Sequence, residues 1–301
     1  MNSPHFGKSL LTLAIAGTVG ASPVVLAQSS LLEEVIVTAQ KREQNAQDVG
    51  ISITAYTGDQ LDQMGFTKSS DIARFTPGVS VGGNLAGQNL QFTIRGVAQN
   101  DFNDQTESPV AVYIDDTYVA MAQGQRFAMY DLDRVEVLKG PQGTLFGRNA
   151  TGGLAHFVSR RPTDELDGYI QAEYGDYDRF KLQGAIGGPI SDTISGRLSG
   201  YYHEQDGYLD NSYDPTNPQS FNPSAIALSE GTGDDFGGEE NSAVRGQLSF
   251  ELSDRATLWL SANWADSELA TSPYQSEPTI AVMDDQGRQR EAVHTPSDFI
   301  Y

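Results

Sequence analysis

From residue 167 onward the chain alternates apolar and polar positions in successive runs. Ile170, Ala172 and Tyr174 form the first; Phe180, Leu182, Gly184 and Ile186 the second; Ile194, Gly196, Leu198, Gly200 and Tyr202 the third. Val244, Gly246, Leu248, Phe250 and Leu252 make the fourth, and Ala256, Leu258, Leu260, Ala262 and Trp264 the fifth. A period of two predicts β-strands, each with one apolar and one polar face. The runs approach the about 9–11 residues of a membrane-crossing strand. A soluble sandwich sets the polar face in bulk water and a membrane barrel sets it in the lumen, so alternation alone fits both. Connector lengths separate them. The turns at Ser191-Asp192 and Ser253-Asp254-Arg255 are minimal, whereas the connection from about Gln205 to Asn241 is long and acidic. Short turns on one side and long loops on the other is the outer-membrane pattern. Tyr174, Tyr177, Tyr202, Tyr208 and Trp264 fall near strand ends, where aromatic girdles sit. The stretch 267–301 reads as a further loop, with alternation only at Ile280-Val282.

Before residue 167 the pattern is that of a small α+β domain. Ile51 and Ile53 alternate into a strand, and Thr57 with Gln60 predicts a capping box opening a helix with Leu61 and Met64 inward. A second short helix is expected near Lys68–Phe75, stopped by Pro77, followed by a glycine-rich loop from Gly78 to Gly87. Leu90, Phe92 and Ile94 lead to Arg95-Gly96, Val110, Val112 and Ile114 lead to an Asp115-Asp116 turn, and Leu154–Ser159 is a last strand. At the centre lies Asp131–Gly153, DLDRVEVLKGPQGTLFGRNATGG. Val135 and Val137 mark a strand, and Gly140-Pro141-Gln142-Gly143 forces a turn, because proline fixes φ and glycine permits positive φ. Gly147, Gly152 and Gly153 then leave the backbone bare. The stretch is no phosphate loop: Gly143 and Gly147 are too close, and Arg148-Asn149 stands where Lys-Ser/Thr is needed. Near the N-terminus, Val35–Thr38 is β-prone, with no partner strand nearby and a polar tether behind it. It reads as a strand offered for edge addition or as the first strand of the domain.

Composition narrows the classes. A net charge of -21 in 301 residues argues against nucleic acid, and the absence of cysteine removes disulfides and thiolate metal sites. Lys8 followed by an apolar run to Val19 and the small-residue site Val25-Leu26-Ala27 predicts a secretory signal peptide cut after Ala27. No nucleophile–base pair and no metal constellation stands out, so no catalytic residue, metal ligand or cofactor is assigned. His156 is expected to be packed and hydrogen-bonded, and Asp234, Asp235, Glu239 and Glu240 to form a solvated acidic loop.

Asp131–Gly153, with the preceding Arg95-Gly96, resembles the plug signature of TonB-dependent outer-membrane receptors. The resemblance implies an α+β plug domain followed by antiparallel strands of a transmembrane β-barrel, here truncated. The expected divisions are a signal peptide over 1–27, a TonB box and tether over 28–48, a plug over 49–162 and the first barrel strands over 163–301. The family barrel has roughly 22 strands around a plug; about five are expected here, so the sequence looks like the N-terminal part of a longer receptor. Glu34, Val35, Ile36, Val37, Thr38 and Ala39 would be the TonB box, bound by the inner-membrane-energised partner TonB. Gly96, Gly140, Pro141, Gly143, Gly147, Gly152 and Gly153 carry the plug signature. Arg95, Arg134, Lys139 and Arg148 are the expected plug cations paired with the barrel wall, with Glu251 as a wall partner. The implied partners are TonB, outer-membrane lipid and a small-molecule cargo, an iron-siderophore complex on the family's commonest usage. A carbohydrate or cobalamin, a signal-relaying receptor and a secreted β-sandwich stay open as alternatives.

Overall fold

The computed structural model describes residues 35–39, 41–42, 44–84, 89–99, 101, 106–209, 235–270, 279–283 and 289–294. The predicted signal peptide, Glu34 and Asp234 lie outside the described residues. The α+β region runs β1 (Ile36–Val37), β2 (Gln44–Asn45), β3 (Ser52–Thr57), α1 (Gly58–Gln63), then a 3₁₀ turn at Ser69–Asp71 that passes into α2 (Ile72–Phe75). A hairpin of β4 (Val79–Asn84) and β5 (Asn89–Ile94) follows, then β6 (Val110–Ile114), β7 (Thr117–Tyr118), β8 (Leu132–Lys139), α3 (Gly143–Phe146) and β9 (Gly153–Ser159). The predicted capping box forms: the Gln60 amide donates to Thr57 Oγ1 at 3.3 Å and the Thr57 amide to Gln60 Oε1 at 3.2 Å.

Among the described residues, five strands pair in the order β3-β8-β9-β6-β7, with β6 and β9 parallel. β9 is buried along its whole length because both faces of the sheet are covered. One face carries Val135, Val137, Phe157 and Val112 and packs on Leu61, Ile72, Phe92 and Ile94. The other carries Leu138, Leu154 and Ala111 and packs on Val37, Ala39, Phe146 and Ala150. Each fully buried Leu, Val or Phe contributes about 2 kcal/mol. Gly153 fits where no other residue would: its φ is +143°, and a Cβ there would lie 2.4 Å from the Leu138 carbonyl oxygen.

Beyond the α+β region, β10 (Asp167–Tyr174), β11 (Phe180–Ser191), β12 (Ile194–Gln205), β13 (Glu239–Ser253) and β14 (Ala256–Leu269) form a wall sheet, antiparallel in chain order. The two short turns fall where predicted. The wall's polar face is the buried one, with Lys181, Gln183, Arg197, Ser199, Arg245 and Gln247 covered. Its apolar face is open: Ile170 is 82% exposed, Ile186 60% and Leu198 56%. A soluble sandwich buries its apolar face, so this inversion decides for a membrane wall. Tyr174, Phe180, Tyr202 and Trp264 sit on that open face toward the end away from the short turns. Among the described residues no helix is long and apolar enough to cross a membrane.

Some expectations are corrected. The glycine-rich loop at Gly78–Gly87 is partly β4, paired with β5 through Val79↔Ile94 and Val81↔Phe92, because two valines alternate ahead of Gly82 and Gly83. Between the turn at Gly140–Gly143 and Gly147 the chain forms a short helix, Gly143–Phe146, for which no element was predicted. The expected loop from Ser267 begins as the end of β14 and contains a further pair, β15 (Thr279–Met283) with β16 (Gln289–His294).

Candidate functional site

The α+β region touches the wall through buried ion pairs of opposite polarity. Arg197 projects from β12 with its side chain 1% exposed, and its Nε and Nη2 donate to Asp131 at 2.8 and 2.6 Å. Its Nη1 also donates to both oxygens of Asp167 at 3.0 Å. This two-pronged pairing is the strong geometry of guanidinium and carboxylate. Beside it the Arg245 guanidinium lies 4.6 Å from the Tyr130 ring centroid, Tyr130 stacks on Tyr201, and Gln247 donates to Ser159 Oγ at 2.8 Å. At the other end of the wall the polarity reverses. Glu239, which opens β13, accepts from Arg126 at 2.8 Å and from Lys68 at 3.3 Å, with His203 Nδ1 3.7 Å away.

None of the five predicted contacts is formed between the α+β region and the described wall strands. Arg134 turns inward to Glu136, Asp133 and Thr38. Arg148, 80% exposed, pairs with Glu107 of its own domain. Arg95 is exposed and Lys139 half-buried, close enough that, after burial, Arg95 contributes to lowering the Lys139 pKa. Glu251 is exposed, on the rim of the β13–β14 turn, too far toward the strand end to reach the covered surface. The ion-paired residues that do cross the seam are Lys68, Arg126, Asp131, Arg197 and Glu239; four were not singled out, and Glu239, expected in a solvated acidic loop, instead opens β13 with its side chain 10% exposed. Arg197 carried a usable signal, a charge on the polar face of an alternating strand. The partners gave none, being 66, 113 and 171 residues apart.

The N-terminal segment also departs from expectation, because Val35–Thr38 has a partner strand. β1 pairs with β2 through Ile36↔Asn45 and Val37↔Gln44, and Lys41 at φ 58° reverses the chain between them. Val37 and Ala39 are buried in the second core. Between them the Thr38 amide and hydroxyl donate to Glu136 Oε1 at 2.7 and 3.2 Å. Arg134 Nε donates to the same oxygen at 2.7 Å, and its Nη2 to Thr38 Oγ1 at 2.9 Å. Lys41 pairs with Asp116 at 2.7 Å and lies 4.8 Å from the Phe146 ring centroid. Burial works against the charge on Glu136, but the His156 ring, the Thr38 amide and Arg134 outweigh it and hold its pKa below the usual value. His156 is packed as predicted, its Nε2 2.5 Å from the Asp115 carbonyl. A polar cavity of about 740 Å³ opens beside this cluster, lined by Thr38, Arg134, His156, Ser159, Asp167 and Arg197 among others.

A small domain held against the polar face of a membrane wall is the arrangement of a plugged barrel. Residues 45–154 match the model of the TonB-dependent Receptor Plug Domain family. Over that span the chain carries the plug domain of TonB-dependent receptors. The relatives it matches are outer-membrane receptors, which places this chain in the outer membrane. It is 30% identical over 192 residues to the pesticin receptor of Yersinia pestis, covering 62% of this chain and 27% of that one. To the ferripyoverdine receptor of Pseudomonas aeruginosa it is 23% identical over 292 residues, 96% of this chain and 31% of that one. The vitamin B12 transporter of Photobacterium profundum is 23% identical over 201 residues, 67% and 33% of the two chains. The chain thus spans about a third or less of the length of these curated relatives. The solved ferric yersiniabactin uptake receptor of Yersinia pestis shares the fold with a TM-score of 0.64 at 24% identity, over 75% of this chain and 33% of that one. The ferripyoverdine receptor structure, bound to ferripyoverdine, gives 0.59 at 20%, over 85% and 30%.

Proposed function

We propose that this chain supplies the plug and first wall strands of an outer-membrane importer, energised through TonB, whose cargo is a ferric siderophore. The observation that carries this reading is the plug's attachment: an N-terminal segment docked at one face, and polar ion pairs holding the other parts to the wall. A partner that grips Glu34–Ala39 from the periplasm pulls directly on the plug, while Arg197 and Glu239 keep the remainder in the lumen. Ionic seams suit a part that must seal and then yield, since separated charges re-solvate when water enters. Arg95 and Lys139, adjacent cations on the surface away from the described wall, are proposed to meet carboxylates of other wall strands. Iron is favoured because the relatives matched include receptors named for ferric ligands, and cobalamin is the competing cargo.

The test is uptake in a strain deleted for the gene, with and without complementation. Complementation is expected to restore accumulation of a labelled ferric siderophore, and to fail when TonB is absent. Restored cobalamin uptake with no effect on any ferric siderophore would overturn the iron assignment.

A further inference from the structure

We infer that Glu136 is the positioning residue that holds the N-terminal segment onto the plug, a clasp that has to open before Val35–Ala39 is free for any partner. Calling that partner TonB rests on the function proposed above; the clasp itself does not.

Glu136 is 0% exposed, on a face of β8 that it shares with apolar Leu138 and with Arg134, and opposite His156 of β9. A carboxylate in such a place is costly unless donors surround it. One oxygen has three: the Thr38 amide, the Thr38 hydroxyl and Arg134 Nε. Two of the three belong to the N-terminal segment, and Arg134 also grips Thr38 through Nη2. The other oxygen, Oε2, has no hydrogen-bond partner and faces His156 Nδ1, equally unpartnered, across 3.9 Å. Glu136 is therefore satisfied chiefly by the segment it holds. The neighbours of Thr38 add little polarity, because Val37 and Ala39 are buried among apolar side chains.

Opening the clasp leaves Glu136 with Arg134 and, 3.9 Å from its other oxygen, the His156 ring. In a dry core that state would be prohibitive. Here Thr38, Arg134 and His156 line the polar cavity, so water can reach the carboxylate as the segment leaves. The clasp is thus tight when closed and reversible when opened, and one buried residue sets the balance.

The chain contains no cysteine, so single introduced thiols report cleanly on its plug. Val37→Cys reports on the segment, and Val112→Cys reports on the opposite core, both being 0% exposed. Each is labelled with a maleimide in the receptor in opened outer-membrane vesicles. Glu136→Gln keeps shape and removes the charge, and losing charge-assisted bonds is expected to speed labelling at 37 roughly tenfold or more, with 112 unchanged. No acceleration at 37 overturns the inference, and so does a matching rise at 112, which would mark Glu136 as a general fold residue. If Glu136→Gln does not accumulate, Thr38→Val removes the hydroxyl while keeping the amide. A severalfold rise confined to 37 is then expected, and no rise overturns the clasp. Capture by a soluble periplasmic TonB fragment separates the two readings. Release at 37 without stronger capture keeps the clasp and sinks the TonB role; capture with unchanged labelling does the reverse.

Discussion

Arg197 concentrates the seam's energetics in one side chain. It satisfies Asp131, a carboxylate with no exposed side-chain surface, and reaches Asp167 as well. Removing one member of a buried pair leaves the other charged and stranded, which costs about 3–5 kcal/mol. Replacing both with apolar residues of similar size is often near neutral. Arg197→Leu is therefore expected to loosen the plug and admit bulky antibiotics, while Arg197→Leu with Asp131→Leu restores much of the barrier. Killing curves with a large hydrophilic antibiotic measure this. Equal permeability of single and double variants would mean the pair does not hold the plug. Glu136 yields a second outcome, in pH. Its folded pKa lies below the ordinary 4.5. A depressed carboxylate contributes stability above its unfolded value and loses it as pH falls through the folded one. The charged and titratable groups around it are Arg134 and His156, with Asp133 behind Arg134. Labelling at Val37→Cys, divided by the rate at an exposed control thiol to remove the thiolate's own pH dependence, should stay flat from about pH 7 to 5 and rise only below about 4.5. A rise already at pH 6 would point to another group.

At the scale of elements, what could be read in the sequence was what has a short period or a local cause. The wall strands were legible because alternation is a property of neighbours, and their turns because two or three polar residues leave no other path. The capping box at Thr57 and Gln60 was legible for the same reason. β4 was not, because Gly82 and Gly83 weaken a strand pattern that only its pairing with β5 completes. β1 was seen as a strand yet given no partner, since its hairpin turns on Lys41 in a left-handed conformation that a lysine does not advertise. The seam was least legible. Thr38 and Glu136 are 98 residues apart, and nothing near either names the other. Arg134 shows the limit plainly: a cation beside the signature looked like a wall contact, but the chain folded its own carboxylate beneath it.

For the whole molecule, the two ion-pair sites fix how plug and wall can meet. Arg197 and Gln205, the β12 partner of Glu239, are eight positions apart on one strand, about 26 Å at the usual rise. Across the seam a wall cation meets a plug carboxylate near the short turns, and a wall carboxylate meets plug cations at the far end. Turning the plug end for end would set Arg197 against Lys68 and Arg126, so polarity selects one orientation. This works only if the charged face is shut away from bulk water, where such pairs are worth little. The same geometry requires the opposite face to lie in lipid, and that is testable. Leu198 lies on the open apolar face with Ile186 beside it in register. Leu198→Arg should cost about 2–4 kcal/mol if it faces the bilayer interior, lowering the heat-modifiable folded fraction in outer membranes. Asp254→Arg, in the exposed β13–β14 turn, should leave that fraction unchanged. If Leu198→Arg folds as well as the parent, the apolar face meets water, and the wall cannot be part of a membrane barrel.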